Sequence, residues 1–421
     1  MKKIVLALVG VVLLAGCVSK KKLSQFAKNE SQSTEKVEKG GITSVKSKFL
    51  DNGTSLRVFM NIEVERLPKD ASAAALFSKE FTLSYSVFPD YSAKQQLGTG
   101  AVMLSTQNVV FDEDHLVVQF DVPKPKEVYT AVVLMQLADL PNQKNFTTDL
   151  FVRFQSGKVG DYFTFFDKTG QFPQLRSYLF TKDTFMLRDI GGTSRKMLVL
   201  RYKHEFDPAL PPMSTTPRAV TKALYLDTLF TVETNKPIVL KDEALYYFCR
   251  DTTESYGIGV MGVDKRYPRI TRPERLARPP IYISTSAEIN DLLASADYKR
   301  SLDRYWLGLT SGNQAVAKRN IKNYYRRVEQ ANKQFTTYKE GWKTDKGMVF
   351  IIMGQPDKVQ RTKDKEIWTY SRKGQFQEVN FTFTKRPNQF VEDHYELSRY
   401  VEYQPIWFPM VEAWRTGEVE K

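Results

Sequence analysis

The 421-residue chain predicts a multidomain protein: two β-sandwich-like all-β domains followed by an α+β C-terminal domain. Two changes of pattern carry that prediction. Up to about residue 255 apolar residues recur mainly with period two, and beyond about residue 285 they recur every three or four positions, the spacing of helices. A chain of this length holds roughly three domains at about 150 residues each. With 42% hydrophobic and 26% charged residues, and 27 Phe, 21 Tyr and 5 Trp, there is ample material for cores, so a disordered chain is excluded.

Lys2 and Lys3 precede the apolar run Ile4 to Leu14, and small residues follow, the layout of a secretory leader over 1–16. The closing Leu14-Ala15-Gly16-Cys17 resembles the bacterial lipobox, which implies acylation of Cys17 and membrane anchoring through the attached chains. Val18 stands where an Asp would resemble an inner-membrane retention signal, so an outer-membrane destination is expected. Ser19-Lys20-Lys21-Lys22 lacks the acidic run that resembles a surface-export signal, which favours the periplasmic face. No later segment has 18 consecutive apolar residues. Cys249 is the one remaining thiol, so no intramolecular disulfide is expected once Cys17 carries lipid. At the end of Leu245-Tyr246-Tyr247-Phe248 it reads as a small buried hydrophobe.

Residues 17–40 comprise the lipidated Cys and a polar tether. Over 41–155 Leu56, Val58, Met60, Ile62 and Val64 alternate with polar residues, as do Phe81, Leu83, Tyr85 and Val87. Asn52-Gly53 marks a hairpin, and runs at 116–122, 129–137 and 150–154 complete a β-sandwich-like set. Residues 156–255 form a second β-rich domain, with strands at 197–202, 225–232 and 238–249. Over 256–285 five arginines (266, 269, 272, 275, 278) interleave with prolines and read as an extended connector, either lying over a neighbouring domain or gripping an acidic partner.

The segment 286–421 starts helical. A long helix over Asn313 to Phe335 places Ile321, Tyr324, Tyr325, Val328 and Ala331 on one face. Lys318, Arg319, Lys322, Arg326, Arg327 and Lys333 lie on the other, against Glu329. Arg319, Lys322 and Arg326 are the candidate binding face. Then comes Gly341-Trp342-Lys343-Thr344-Asp345-Lys346-Gly347, an apolar stretch Met348 to Met353 read as a strand, and a turn Gly354-Gln355-Pro356-Asp357.

These residues resemble the GWxTD domain, known chiefly from lipoproteins and envelope proteins of Bacteroidetes and relatives. Arg304-Tyr305-Trp306, Arg327-Val328, Ala331-Asn332, Phe335, Trp368 and Tyr370 extend the likeness over about 285–375. Lys346 departs from the Arg common in that family, which should alter geometry more than charge. The resemblance supplies no activity. Read physically, Gly341 and Gly347 suit turns closed to other residues, Trp342 is an apolar plug on the preceding helix, and Thr344 and Asp345 bond nearby amides. Gly354, Pro356 and Asp357 complete the motif, in a structural or interaction role.

Asp345, Asp357 and Asp364 are close enough in sequence to supply an acid and a base if they meet in space. His115, His204 and His394 lie in separate segments, so no metal centre and no cofactor are expected. No nucleophile-elbow, zinc-protease or phosphate-loop string is present. The net charge of +14 favours an anionic partner, but an exported protein does not meet nucleic acid. The sequence therefore points to a non-catalytic, outer-membrane-anchored lipoprotein, a scaffold for envelope protein assembly, secretion or transport. Its expected partners are the membrane, through the lipid, and another envelope protein. The alternatives are a binding module for envelope glycan or lipopolysaccharide, marked by aromatics beside basic groups, and an envelope hydrolase.

Overall fold

The structure, a computed structural model, describes residues 33–36, 41–112, 115–215, 224–371 and 378–419. The expected leader, Cys17 and most of the expected tether lie outside the described residues. The chain is mostly antiparallel sheet, with its helices concentrated in the C-terminal region.

The first module contains β1 (Ser33–Lys36), β2 (Ile42–Asn52), β3 (Ser55–Val64), α1 (Ser72–Glu80), β4 (Phe81–Phe88), β5 (Gly98–Val102), β6 (Val109–Asp112), β7 (His115–Pro123), β8 (Thr130–Asp139) and β9 (Lys144–Arg153). The expected hairpin is there: β2 and β3 pair in register from Asn52 and Ser55, and Gly53 takes the left-handed φ of 76° that a tight turn requires. Two four-stranded sheets form, ordered β2-β3-β7-β6 and β5-β4-β8-β9. Alternation turns Leu56, Val58, Met60 and Ile62 into a cluster shared with Leu83, Val133 and Leu137 of the other sheet. Period-two reading passed over α1, which seats Ala73, Ala74 and Phe77 in that cluster. Strand β1 pairs with β18 of the C-terminal module, introduced below, so this part of the tether is docked on a sheet edge.

The second module comprises α2 (Val159–Tyr162), β10 (Thr164–Phe166), β11 (Tyr178–Phe180), β12 (Thr184–Arg188), β13 (Lys196–Tyr202), β14 (Thr228–Glu233), β15 (Pro237–Val239), β16 (Ala244–Cys249) and β17 (Ile258–Val263). Its sheets are β10-β12-β15 and β11-β17-β16-β13-β14, antiparallel except for the β11–β17 pair. Cys249 is buried, and burial pushes its thiol up to about 11. The expected connector is corrected here. Ile258–Val263 is a strand bonded on both sides, because Val260, Gly262 and Val263 suit a buried ladder that the surrounding Arg/Pro composition conceals. A short helix α3 (Pro273–Leu276) and a 3-10 turn (Pro279–Tyr282) follow.

The C-terminal module continues with α4 (Ser286–Leu293), α5 (Tyr298–Leu309), α6 (Gln314–Phe335), a 3-10 turn (Gly341–Lys343), α7 (Asp345–Met353), β18 (Lys358–Arg361), β19 (Lys365–Tyr370), β20 (Val379–Lys385), β21 (Tyr395–Leu397) and α8 (Gln404–Thr416). Caps explain the helix starts. Thr285 and Glu288 form a reciprocal capping box, while Asp297 and Asn313 accept from Arg300 and Val316 amides. The five-stranded sheet runs β1-β18-β19-β20-β21, and Trp306, Tyr324, Trp342, Phe381 and Trp414 share one core with α7. The strand expected at Met348 to Met353 is part of helix α7, and every residue from Met348 to Met353 is buried. An apolar run buried on all sides has no periodic phase, so strand and helix read alike. Thr344 decides the matter by accepting from Gly347 N at 3.0 Å as an N-cap, with acidic Asp345 in the first turn.

Candidate functional site

The motif is built on close backbone approach. A Cβ at Gly341 would lie 2.0 Å from the carbonyl oxygen of Ala331 on α6. That approach lets Gly341 N donate to Thr336 Oγ1 at 3.1 Å and Trp342 N to Asn332 Oδ1 at 3.0 Å. Trp342, 2% exposed, packs edge-to-face on Tyr282, whose hydroxyl donates to Trp342 O at 2.9 Å. Its indole nitrogen has no hydrogen-bond partner among the described residues, so apolar contact seats the ring.

Thr344 Oγ1 donates to Gly341 O at 2.7 Å besides capping α7. Asp345 accepts from Leu397 N at 2.7 Å and pairs with Arg399 at 2.5 Å, tying α7 to β21. Lys346 donates to Glu366 at 3.0 Å and lies over the Tyr395 ring, 3.6 Å from its centroid. After α7, Gly354 takes φ 87° and its carbonyl accepts from Tyr370 at 2.9 Å. Pro356 is buried, and Asp357 accepts from Ser371 N at 2.6 Å, closing the expected turn. Of the three candidate carboxylates, Asp345 and Asp364 border the cavity described next, and Asp357 is not among its described wall residues. Asp345, though on the wall, is held by Arg399 and the Leu397 amide.

That cavity, about 1200 Å³ in volume, lies where the three modules meet. Lys48 of β2 and Arg153 of β9 face Asp161 and Tyr256 of the second module and Glu392 and Asp393 of the C-terminal one. Arg153 holds Asp161 with two hydrogen bonds and reaches Glu392 at 2.8 Å, Lys158 pairs with Glu392 at 2.9 Å, and Lys385 pairs with Asp393 at 3.1 Å. Burial pushes the Lys48 ammonium below its ordinary value, against the pull of Glu392, Asp161 and Asp393. Sequence reading did not find this site. Arg153 and Glu392 are 239 positions apart, and no local motif marks such a pair.

The arginines of 256–285 are spent inside the chain. Arg266 pairs with Asp264, Arg269 with Glu329, Arg272 and Arg275 with Glu243, and Arg278 with Glu205, at 2.7 to 3.0 Å. This arm lies over neighbouring elements. On α6, Lys318, Arg319, Lys322 and Arg326 are exposed. Arg327 and Lys333 leave the expected basic face: Arg327 turns inward to Ile351 O at 3.0 Å and to the Trp414 ring, and Lys333 pairs with Glu63 of β3 at 2.9 Å. Among the described residues no group of three or more His, Cys, Asp or Glu is placed to hold a metal, and no helix is long and apolar enough to cross a membrane.

These features define a β-rich, multi-module chain that closes with an α+β module built on a buried helix. Residues 244–416 match the family model described as GWxTD domain, in agreement with the resemblance carried by the motif. The match begins in β16, ahead of the boundary at 286 expected from periodicity, and takes in β17 and the arginine arm. No curated protein and no solved structure matches the chain.

Proposed function

We propose that the protein is a non-catalytic lipoprotein of the Bacteroidetes type, anchored in the outer membrane through Cys17 and facing the periplasm. In this reading two β-sandwich-like modules act as spacers and contact surfaces, and the C-terminal module binds another envelope protein during assembly, secretion or transport. One observation supports it most. The side chains of Thr344 and Asp345 are engaged in internal bonds, whereas Arg319, Lys322 and Arg326 stand exposed on one helix face. Rim charges of this kind govern association rate and salt dependence.

The test is crosslinking in cells followed by mass spectrometry, comparing the wild type with the triple charge reversal Arg319→Glu, Lys322→Glu, Arg326→Glu. Partner capture should fall in the variant while its unfolding midpoint is kept. Undiminished capture would place recognition elsewhere. A hydrolytic activity on envelope glycan or peptide that Asp345→Asn loses while staying folded would favour the hydrolase reading.

A further inference from the structure

We propose that the cavity between the three modules is a binding site for an acidic oligosaccharide, with Lys48 as the cation that receives its acidic group. This goes beyond the scaffold reading and does not depend on the α6 face.

The carboxylates nearest Lys48 are already engaged. Asp161, Glu392 and Asp393 face it together with Arg153. Arg153, Lys158 and Lys385 each hold one or more of those carboxylates at ion-pair distance. Lys48 has no hydrogen bond and no ion pair within 4 Å among the described residues, and it is half-buried in the cavity wall. A half-buried ammonium that no protein group accepts from relies on water in the cavity, and a ligand oxyanion can take the place of that water.

The rest of the wall suits a hydroxylated ligand. Ser47 Oγ and Thr337 Oγ1 line the same cavity, are buried, and have no hydrogen-bond partner among the described residues. A χ1 rotation would turn either hydroxyl toward the lumen, where it can donate to or accept from a sugar hydroxyl. Tyr256, 57% exposed, offers an aromatic face already covered on one side by the Lys158 ammonium at 4.7 Å. Asn388 and Gln174 add amide groups to the wall. A volume of about 1200 Å³ is above the usual range for a drug-sized ligand and accommodates several sugar rings.

The test is calorimetric titration of the full-length protein in detergent with tetragalacturonate, and with neutral maltotetraose and inorganic phosphate as comparisons. Tetragalacturonate should bind, and maltotetraose and phosphate should each bind at least about tenfold more weakly, since one lacks the charge and the other the sugar body. Lys48→Met should lose about tenfold in affinity and Lys48→Arg should keep most of it, with unfolding midpoints measured alongside. In the wild type, tetragalacturonate should also slow acetylation of Lys48 read by mass spectrometry, a measurement that needs no variant. The proposal is overturned if tetragalacturonate does not bind at millimolar concentration, if either comparison ligand matches it, if Lys48→Met binds as well as wild type, or if Lys48 acetylation is unprotected.

Discussion

A Cβ placed on Gly347 would lie 1.8 Å from the carbonyl oxygen of Gly341. The two glycines of the motif are thus in backbone contact across the turn that Trp342 plugs and Thr344 caps. Their spacing reflects a close approach, since neither requires a left-handed backbone.

Gly347→Ala should therefore destabilise the protein by about 1 to 3 kcal/mol, because the obstructing atom belongs to backbone and cannot swing away. Chemical denaturation of the full chain is the check. An unchanged midpoint would mean that the turn relaxes freely.

Trp342→Ala should cost about 3 to 5 kcal/mol, the range for emptying a large aromatic site. Trp342→Phe should recover part of that loss, since no hydrogen bond of the indole nitrogen is at stake among the described residues. Equal midpoints for the alanine variant and wild type would show the ring to be dispensable. The whole chain is the appropriate sample, because Ala209 of the preceding segment belongs to the same core.

Acid should weaken the C-terminal module through Glu366. Burial alone would raise this carboxyl, but Lys346, Arg361 and the Trp368 indole N–H at 2.6 Å outweigh it and hold the group at about 2. A folded-state value below the ordinary one of 4.5 stabilises the native state above that pH, and the contribution disappears as pH falls from about 4.5 toward 2. Wild type should lose up to about 3 kcal/mol over this window from this group, and Glu366→Gln should lose less. Urea midpoints measured between pH 5 and 2.5 decide it; parallel pH curves for the two proteins would assign the acid sensitivity to other groups.

Cys17→Ser should leave the chain unacylated and move it from the membrane to the soluble fraction of lysed cells. Retention of the variant with the membranes would show that the lipid is not the main anchor.

Much of the fold is legible because it depends on short-range pattern. The Asn52-Gly53 hairpin, the alternation of β3 and β4, and the three-to-four spacing of α6 follow from residues within a few positions of one another. The motif's turn was legible in part: Thr344 bonds the Gly347 amide three positions on, as expected, whereas Asp345, expected to bond a nearby amide, takes Leu397 N 52 positions away.

By itself, the sequence determined the alternation of β3 and β4, the start of the long helix at Asn313, and that a glycine-bounded Trp-Lys-Thr-Asp segment needs a constrained turn. Only the tertiary structure decided that Met348–Met353 is a helix, since burial on every side erases the period that separates helix from strand. It also decided that Ile258–Val263 is a strand inside a five-stranded sheet and that the neighbouring arginines are paired within the chain. The cavity around Lys48 belongs to the same class. A charge is satisfied by whatever comes within a few ångströms, and neighbours in space from three modules leave no spacing in the chain to read.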